Sequence, residues 1–109
     1  MKRGEVWTVA GGSGYAGKPR PAVVVQDDAF SDTASVTICI FTTTALSASF
    51  ARIAVDPSSF NGLKAPSQLM ADKVTTVPRS RLGRRIGRLS DADTARVDRA
   101  LLTFLGLAR

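Results

Sequence analysis

Only one stretch of this chain spaces its apolar residues as a helix does, and it comes last: Val97, Ala100, Leu101, Phe104 and Leu105. Ser90 is placed to cap that helix, Asp91 and Asp93 suit its first turn, and Gly106 suits its stop. Everything before it reads as short strands cut by turn residues. Glu5 to Val9 alternates apolar and polar positions, as in a half-buried strand. Ala22 to Gln26 is a β-branched run suited to a strand covered on both faces, and Ser35 to Thr43 is a third strand. Arg52 to Asp56 alternates as a fourth, Gln68 to Val77 reads as a fifth, and Ile86 to Leu89 as a short sixth. The segments Ala10 to Pro21 and Pro57 to Pro66, the latter with Asn61-Gly62, are rich in turn residues. The expected fold is therefore mainly β with a C-terminal helix, a small twisted sheet or partly closed barrel with the helix packed on it.

A length of 109 residues suits a single domain, taken here as 1–109, with a core that needs no disulfide or metal staple. Apolar content of 44% against 22% charged residues marks a globular chain. No apolar run approaches the length of a membrane span, and the N-terminal residues lack a signal-peptide core. With Cys39 as the single cysteine, a small buried hydrophobe of the third strand, the cytoplasm is the expected location. There is no histidine. A zinc site of Cys and His is thus nearly excluded, and no metal or cofactor is expected. The usual acid–base group at neutral pH is missing too, so catalysis would fall to Arg, Lys, carboxylates, hydroxyls or backbone groups.

The net charge of +6 is unevenly placed. Residues 1–50 hold four basic and four acidic side chains, whereas residues 51–109 hold eleven and five. Arg79, Arg81, Arg84, Arg85 and Arg88 fall close together with no acid among them. Such a cluster attracts polyanions by releasing counterions, or docks an acidic protein. One apparent motif is rejected. Gly12 to Lys18 reads G-S-G-Y-A-G-K, but Pro19 stands where a phosphate loop needs Ser or Thr, and a strand follows where it needs a helix.

The segments Lys2-Arg3-Gly4-Glu5-Val6-Trp7 and Gly17-Lys18-Pro19-Arg20-Pro21-Ala22-Val23-Val24-Val25-Gln26 resemble the opening of the MazF/PemK toxin family. Ile40-Phe41-Thr42-Thr43, Ser67 to Val77, and Ile86 to Ser90 with the closing helix continue the resemblance in order. It implies an SH3-like barrel of the MazF/PemK/CcdB type with a C-terminal helix, assembled as a homodimer. It also implies a sequence-specific endoribonuclease toxin that cuts single-stranded RNA and is neutralised by a cognate antitoxin, touching DNA only through the antitoxin complex. On this resemblance the catalytic Arg falls on Arg20, the catalytic hydroxyl on Thr42 with Thr43 as the register alternative, and the acidic position on Asp72. Tyr15, Lys18, Thr43, Lys73, Arg79 and Arg81 are the expected RNA contacts. One departure stands out: some relatives carry Arg two residues before the acid, and here that position is Met70.

The chemistry needs a 2′-hydroxyl to attack the neighbouring phosphorus, leaving a 2′,3′-cyclic phosphate and a 5′-hydroxyl. Arg20 suits the phosphate, because a guanidinium stays charged and forks onto two oxygens. Thr42 can hydrogen-bond a phosphate oxygen or orient the nucleophile. Asp72 can accept a proton, or pair with Lys73, Arg20 or the Arg cluster. Trp7 belongs in the core rather than in a stacking site. Two other readings share the barrel: a nucleic-acid binding module without catalysis, and a gyrase poison. The second works through a helix ending in Trp, which Leu107-Ala108-Arg109 does not offer.

Overall fold

The computed structural model describes residues 1–10, 18–44 and 51–108. Its strands are β1 (Glu5–Val9), β2 (Arg20–Val24), β3 (Ser35–Thr42), β4 (Arg52–Val55), β5 (Ser67–Met70), β6 (Thr75–Pro78) and β7 (Leu82–Arg88), followed by helix α1 (Asp91–Phe104). All pairings are antiparallel, in the order β4-β5-β3-β2-β1-β7, with β6 also on β3. β7 reaches β6 only through a 3-10 turn over Arg79–Arg81. The ring β7-β1-β2-β3-β6 is thus joined covalently rather than by a ladder, and the barrel is only partly closed. Among the described residues no helix is long and apolar enough to cross a membrane.

Side chains of the central strands alternate between two cores, as the pleat requires. Val6, Val23, Cys39 and Phe41 face one side and pack with Ile53, Val55 and Leu69 under the helix residues Val97, Ala100 and Leu101. Val9, Ala22, Val24, Val36, Ile38 and Ile40 face the other and pack with Met70, Val77 and Leu82. Trp7 is partly buried against this second core, and its indole N–H donates to Glu5 Oε1 at 3.1 Å. Cys39 is fully buried, and burial pushes its thiol up to about 12, which leaves it inert as a nucleophile.

Three sequence expectations need correction. The fifth strand is two strands, broken by a 3-10 turn at Ala71–Lys73. β6 takes Ser35 to Ile38 of β3 while β5 takes Phe41 and Thr42 on the same edge. The chain must step between these two pairings, and the step buries Ala71. β7 begins at Leu82, well before Ile86, because its residues are mostly exposed and its ladder to β1, not an apolar pattern, makes it a strand. At the helix end, Phe104 and Leu105 are exposed, so the buried stripe is limited to Val97, Ala100 and Leu101. The cap itself is as expected: Ser90 Oγ accepts from the Asp93 N–H at 3.1 Å.

The connection between β4 and β5 is pressed against β7. Asn61 is 4% exposed, and its side chain organises the turn by donating to Asp56 O at 2.9 Å and accepting from the Ser58 and Leu63 N–H groups. The Arg88 N–H then donates to Phe60 O at 3.0 Å. Gly62 has φ +74°, and a Cβ there would lie 2.1 Å from the Ile86 carbonyl oxygen. Gly62→Ala therefore combines left-handed strain with a backbone clash, and should cost at least ~2 kcal/mol. Chemical denaturation of wild type and variant checks this; equal midpoints would mean that the loop does not need so close an approach.

Candidate active site

Arg20 opens β2 and Thr42 closes β3, so both stand at the same end of the central sheet. The β2–β3 ladder pairs Val24 with Ile38, Val23 with Cys39 and Ala22 with Ile40. Extended by two residues, that register aligns Arg20 with Thr42. Both share the parity of Ala22 and Ile40, so they lie on the side of the second core, at its end. Pro21 can sit between them because the ladder to β3 stops at Ala22 and makes no demand on a Pro21 N–H. Thr42 is half-buried, and its Oγ1 accepts from the Thr44 N–H at 3.2 Å, which holds the hydroxyl oxygen at the strand end.

Thr43, the register alternative, is exposed and has the opposite parity. It lines a cavity of about 550 Å³ together with Pro19, Pro21, Leu63, Ile86 and the cations Lys64, Arg84 and Arg85. Arg85 is anchored by Glu5 at 3.3 Å. The Glu5 carboxyl is held below its ordinary range: burial opposes this, but the Lys2 N–H, the Trp7 indole and Arg85 together outweigh it. Lys18 and Lys73 are exposed, on β2's approach and on the 3-10 turn after β5. Tyr15 lies outside the described residues.

Two members of the basic cluster have structural tasks. The Arg79 guanidinium donates to Thr33 O at 2.7 and 3.0 Å and to Ser31 O, fastening the β2–β3 connection to the β6–β7 turn. Arg81 donates to Ala10 O at 2.7 and 3.2 Å, fastening the exit of β1 to the same turn. Their donors are directed at carbonyls of the chain, whereas Arg84 and Arg88 are exposed along β7. Among the described residues, no three His, Cys, Asp or Glu side chains come together as a metal site.

The family model described as PemK-like, MazF-like toxin of type II toxin-antitoxin system matches residues 2–105. The chain belongs to this family. It is 53% identical over 108 residues to a probable endoribonuclease MazF of Mycolicibacterium smegmatis, covering 99% of each chain. It is 33% identical over 116 residues to endoribonuclease MazF9 of Mycobacterium tuberculosis, covering 98% of each. Among solved structures it matches an endoribonuclease from mycobacterial species, determined in complex with its cognate antitoxin, with a TM-score of 0.83 and 28% identity. That match covers 100% of this chain and 98% of the other.

Within this PemK/MazF-like frame, Asp72 has a partner that the sequence did not suggest. It pairs with Arg52 of β4, Nε to Oδ1 at 2.7 Å and Nη2 to Oδ2 at 3.2 Å, rather than with Lys73, Arg20 or the cluster after Pro78. Arg52 is the cross-strand partner of Met70. Met70 carries no charge, and the guanidinium that reaches the acid comes from the neighbouring strand. No sequence spacing signals this, because Arg52 and Met70 meet only through the β4–β5 register.

The Arg52 hydrogen bonds hold the Asp72 carboxyl below its ordinary value of 3.8, against the opposing effect of burial. A carboxyl that binds its proton less readily when folded stabilises the fold above pH 3.8, and loses that stabilisation as pH falls through its lower folded value. Asp72→Asn should therefore lower stability at pH 7 by on the order of 1 kcal/mol. The difference from wild type should shrink on acidification below the ordinary carboxyl range. Thermal melts of both proteins from pH 7 to pH 2.5 test this, and a gap that stays constant would show that the ion pair contributes nothing.

Proposed function

We propose that the protein is a sequence-specific endoribonuclease toxin that cuts single-stranded RNA without a metal. Its action would inhibit translation and growth until a cognate antitoxin neutralises it. The observation that carries this reading is that Arg20, first in β2, and Thr42, last in β3, stand at the same end of the central sheet, in a chain whose relatives are named endoribonucleases. The guanidinium of Arg20 stabilises the charge that builds on the phosphoryl oxygens. The Thr42 hydroxyl hydrogen-bonds a phosphate oxygen or sets the direction of the 2′-hydroxyl. Attack by the 2′-oxygen on phosphorus expels the 5′-oxygen, giving a 2′,3′-cyclic phosphate and a 5′-hydroxyl. DNA has no 2′-hydroxyl and is not cut.

Asp72 serves this reading less well than Arg20 and Thr42 do. Its carboxylate is engaged by Arg52 and holds its proton weakly, so it makes a poor base and fits better as a fixed negative charge beside the substrate path. Lys18 and Lys73, both exposed, fit phosphate contacts. A neighbour of similar fold was solved with its antitoxin, and that supports a protein antidote for this chain as well. The same reading makes the single domain a homodimer in the cytoplasm, with DNA reached only through the antitoxin complex.

Purified protein, freed of antitoxin, is incubated with a long single-stranded RNA in excess EDTA. Discrete fragments with 5′-hydroxyl ends are expected, and Arg20→Ala should lower the rate about 10²–10³-fold, as loss of a charge-stabilising donor does. Cleavage abolished by EDTA and restored by a divalent ion would overturn the metal-free reading. A folded wild type that binds RNA without cutting it would make this a binding module.

A further inference from the structure

Resting on that reading, we propose that the cavity beside Thr43 is a nucleobase pocket, which accepts an unpaired base flanking the cleaved bond and so contributes to the choice of cut site. The cavity lies at the same end of the sheet as Arg20 and Thr42 but on the other side of the strands. Pro19 and Pro21 flank Arg20 in sequence and form one wall, and Thr43 follows Thr42 and stands at the mouth. An RNA strand whose phosphate rests between Arg20 and Thr42 can therefore turn a neighbouring base over the strand ends into this cavity.

The lining has the composition such a pocket needs. A volume of about 550 Å³ falls within the usual range for small-ligand sites. Pro19, Pro21, Leu63, Ala65 and Ile86 give it apolar surface on which a base can stack. Two of its polar groups are fixed: Ser67 Oγ donates to Ala65 O at 2.9 Å and retains acceptor capacity, and Thr8 Oγ1 accepts from the Arg84 N–H at 3.0 Å and keeps its own proton. One acceptor and one donor on a stiff frame can tell base edges apart.

Charge suits a polyanionic occupant, and the position beside Arg20 and Thr42 favours RNA as that occupant. Lys64 and Arg84, both exposed, stand at the rim where phosphates on either side of an inserted base would pass. The cavity is also preformed. Gly62 and Gly87 allow the β4–β5 connection to lie against the β7 backbone, and Gly62, Leu63 and Ile86 from this contact line the cavity. A base entering it meets a shape already fixed, so its fit is read rather than induced.

The test uses a pool of single-stranded RNAs randomised around the cut, with product 5′-ends sequenced for wild type, Ala65→Phe and Arg84→Gln. Ala65 is half-buried in the lining, and phenylalanine there would fill the cavity. Wild type should show a base preference at each side of the cut. Ala65→Phe should reduce the preference at one flanking position about tenfold or more while still making 5′-hydroxyl ends. Arg84→Gln, at an exposed position that folding does not need, should weaken RNA binding and flatten its salt dependence. If Ala65→Phe does not fold, Arg84→Gln decides, and unchanged affinity and salt dependence would overturn the pocket. A folded Ala65→Phe with the wild-type cut profile would also overturn it, as would one that loses only antitoxin binding, which would make the cavity a protein dock. A wild type that cuts nothing refutes the nuclease reading itself, and is thereby distinct from failure of the pocket.

Discussion

The structure depends on the divided edge of β3. One side of this strand carries β2, while the other carries β6 along its first half and β5 along its last residues. A single strand cannot serve two partners that diverge unless the second edge is shared between consecutive segments of chain. The 3-10 turn at Ala71–Lys73 is that division. From it follow the partly closed ring on one side and the β4–β5 ladder under the helix on the other. It also produces two cores instead of one, because β3 contributes Val36, Ile38 and Ile40 to one and Cys39 and Phe41 to the other. The strand end at Thr42 is therefore held by packing on both faces.

The positive charge of the second half of the chain has two physical uses. Arg79 and Arg81 direct guanidinium donors at backbone carbonyls of Ser31, Thr33 and Ala10, which no ladder satisfies. In doing so they tie the β6–β7 turn to two distant connections, and the ring keeps its shape without a β6–β7 ladder. Arg52 is likewise engaged within the fold, by the Asp72 carboxylate. Lys64, Arg84 and Arg88 remain exposed. A count of basic residues cannot separate these roles, because an arginine that cross-links carbonyls and one that meets a phosphate are the same letter in the same kind of run.

Much of the fold was legible from local pattern. β1 came from alternation and β2 from a β-branched run, and the helix came from its cap and its spacing. Local pattern failed where long-range pairing decides structure. β7 is held to β1 by backbone bonds and carries a polar, glycine-containing sequence, so its first half has no apolar signature. The split of the fifth strand depends on which edge of β3 it meets. Arg20 and Thr42 were named from family likeness, and the strands put them at the same sheet end; the Arg52 partner of Asp72 was not legible, because it depends on a hairpin register. The cavity was not legible either, since it joins strand ends, a glycine-mediated loop contact and a third strand that are scattered along the chain. Tyr15 lies outside the described residues, so its part in the site rests on sequence alone.

The lack of histidine explains why stiffness matters so much here. Without an imidazole, no side chain titrates near neutral pH at its ordinary value and can exchange a proton cheaply with the reacting oxygens. Rate enhancement must then come from placing fixed charge and hydrogen bonds where the transition state needs them, and such groups help only if they need not reorganise during the reaction. A guanidinium on a loose loop would lose that advantage to conformational entropy. Arg20 instead stands at the first residue of a strand paired to β1, two residues from the fully buried Ala22, and Thr42 at the last residue of a strand that buries Val36, Ile38, Cys39, Ile40 and Phe41. On the proposed reading, the double core built around β3 is what lets a chain with so few catalytic side-chain types present Arg20 and Thr42 at one firmly packed sheet end.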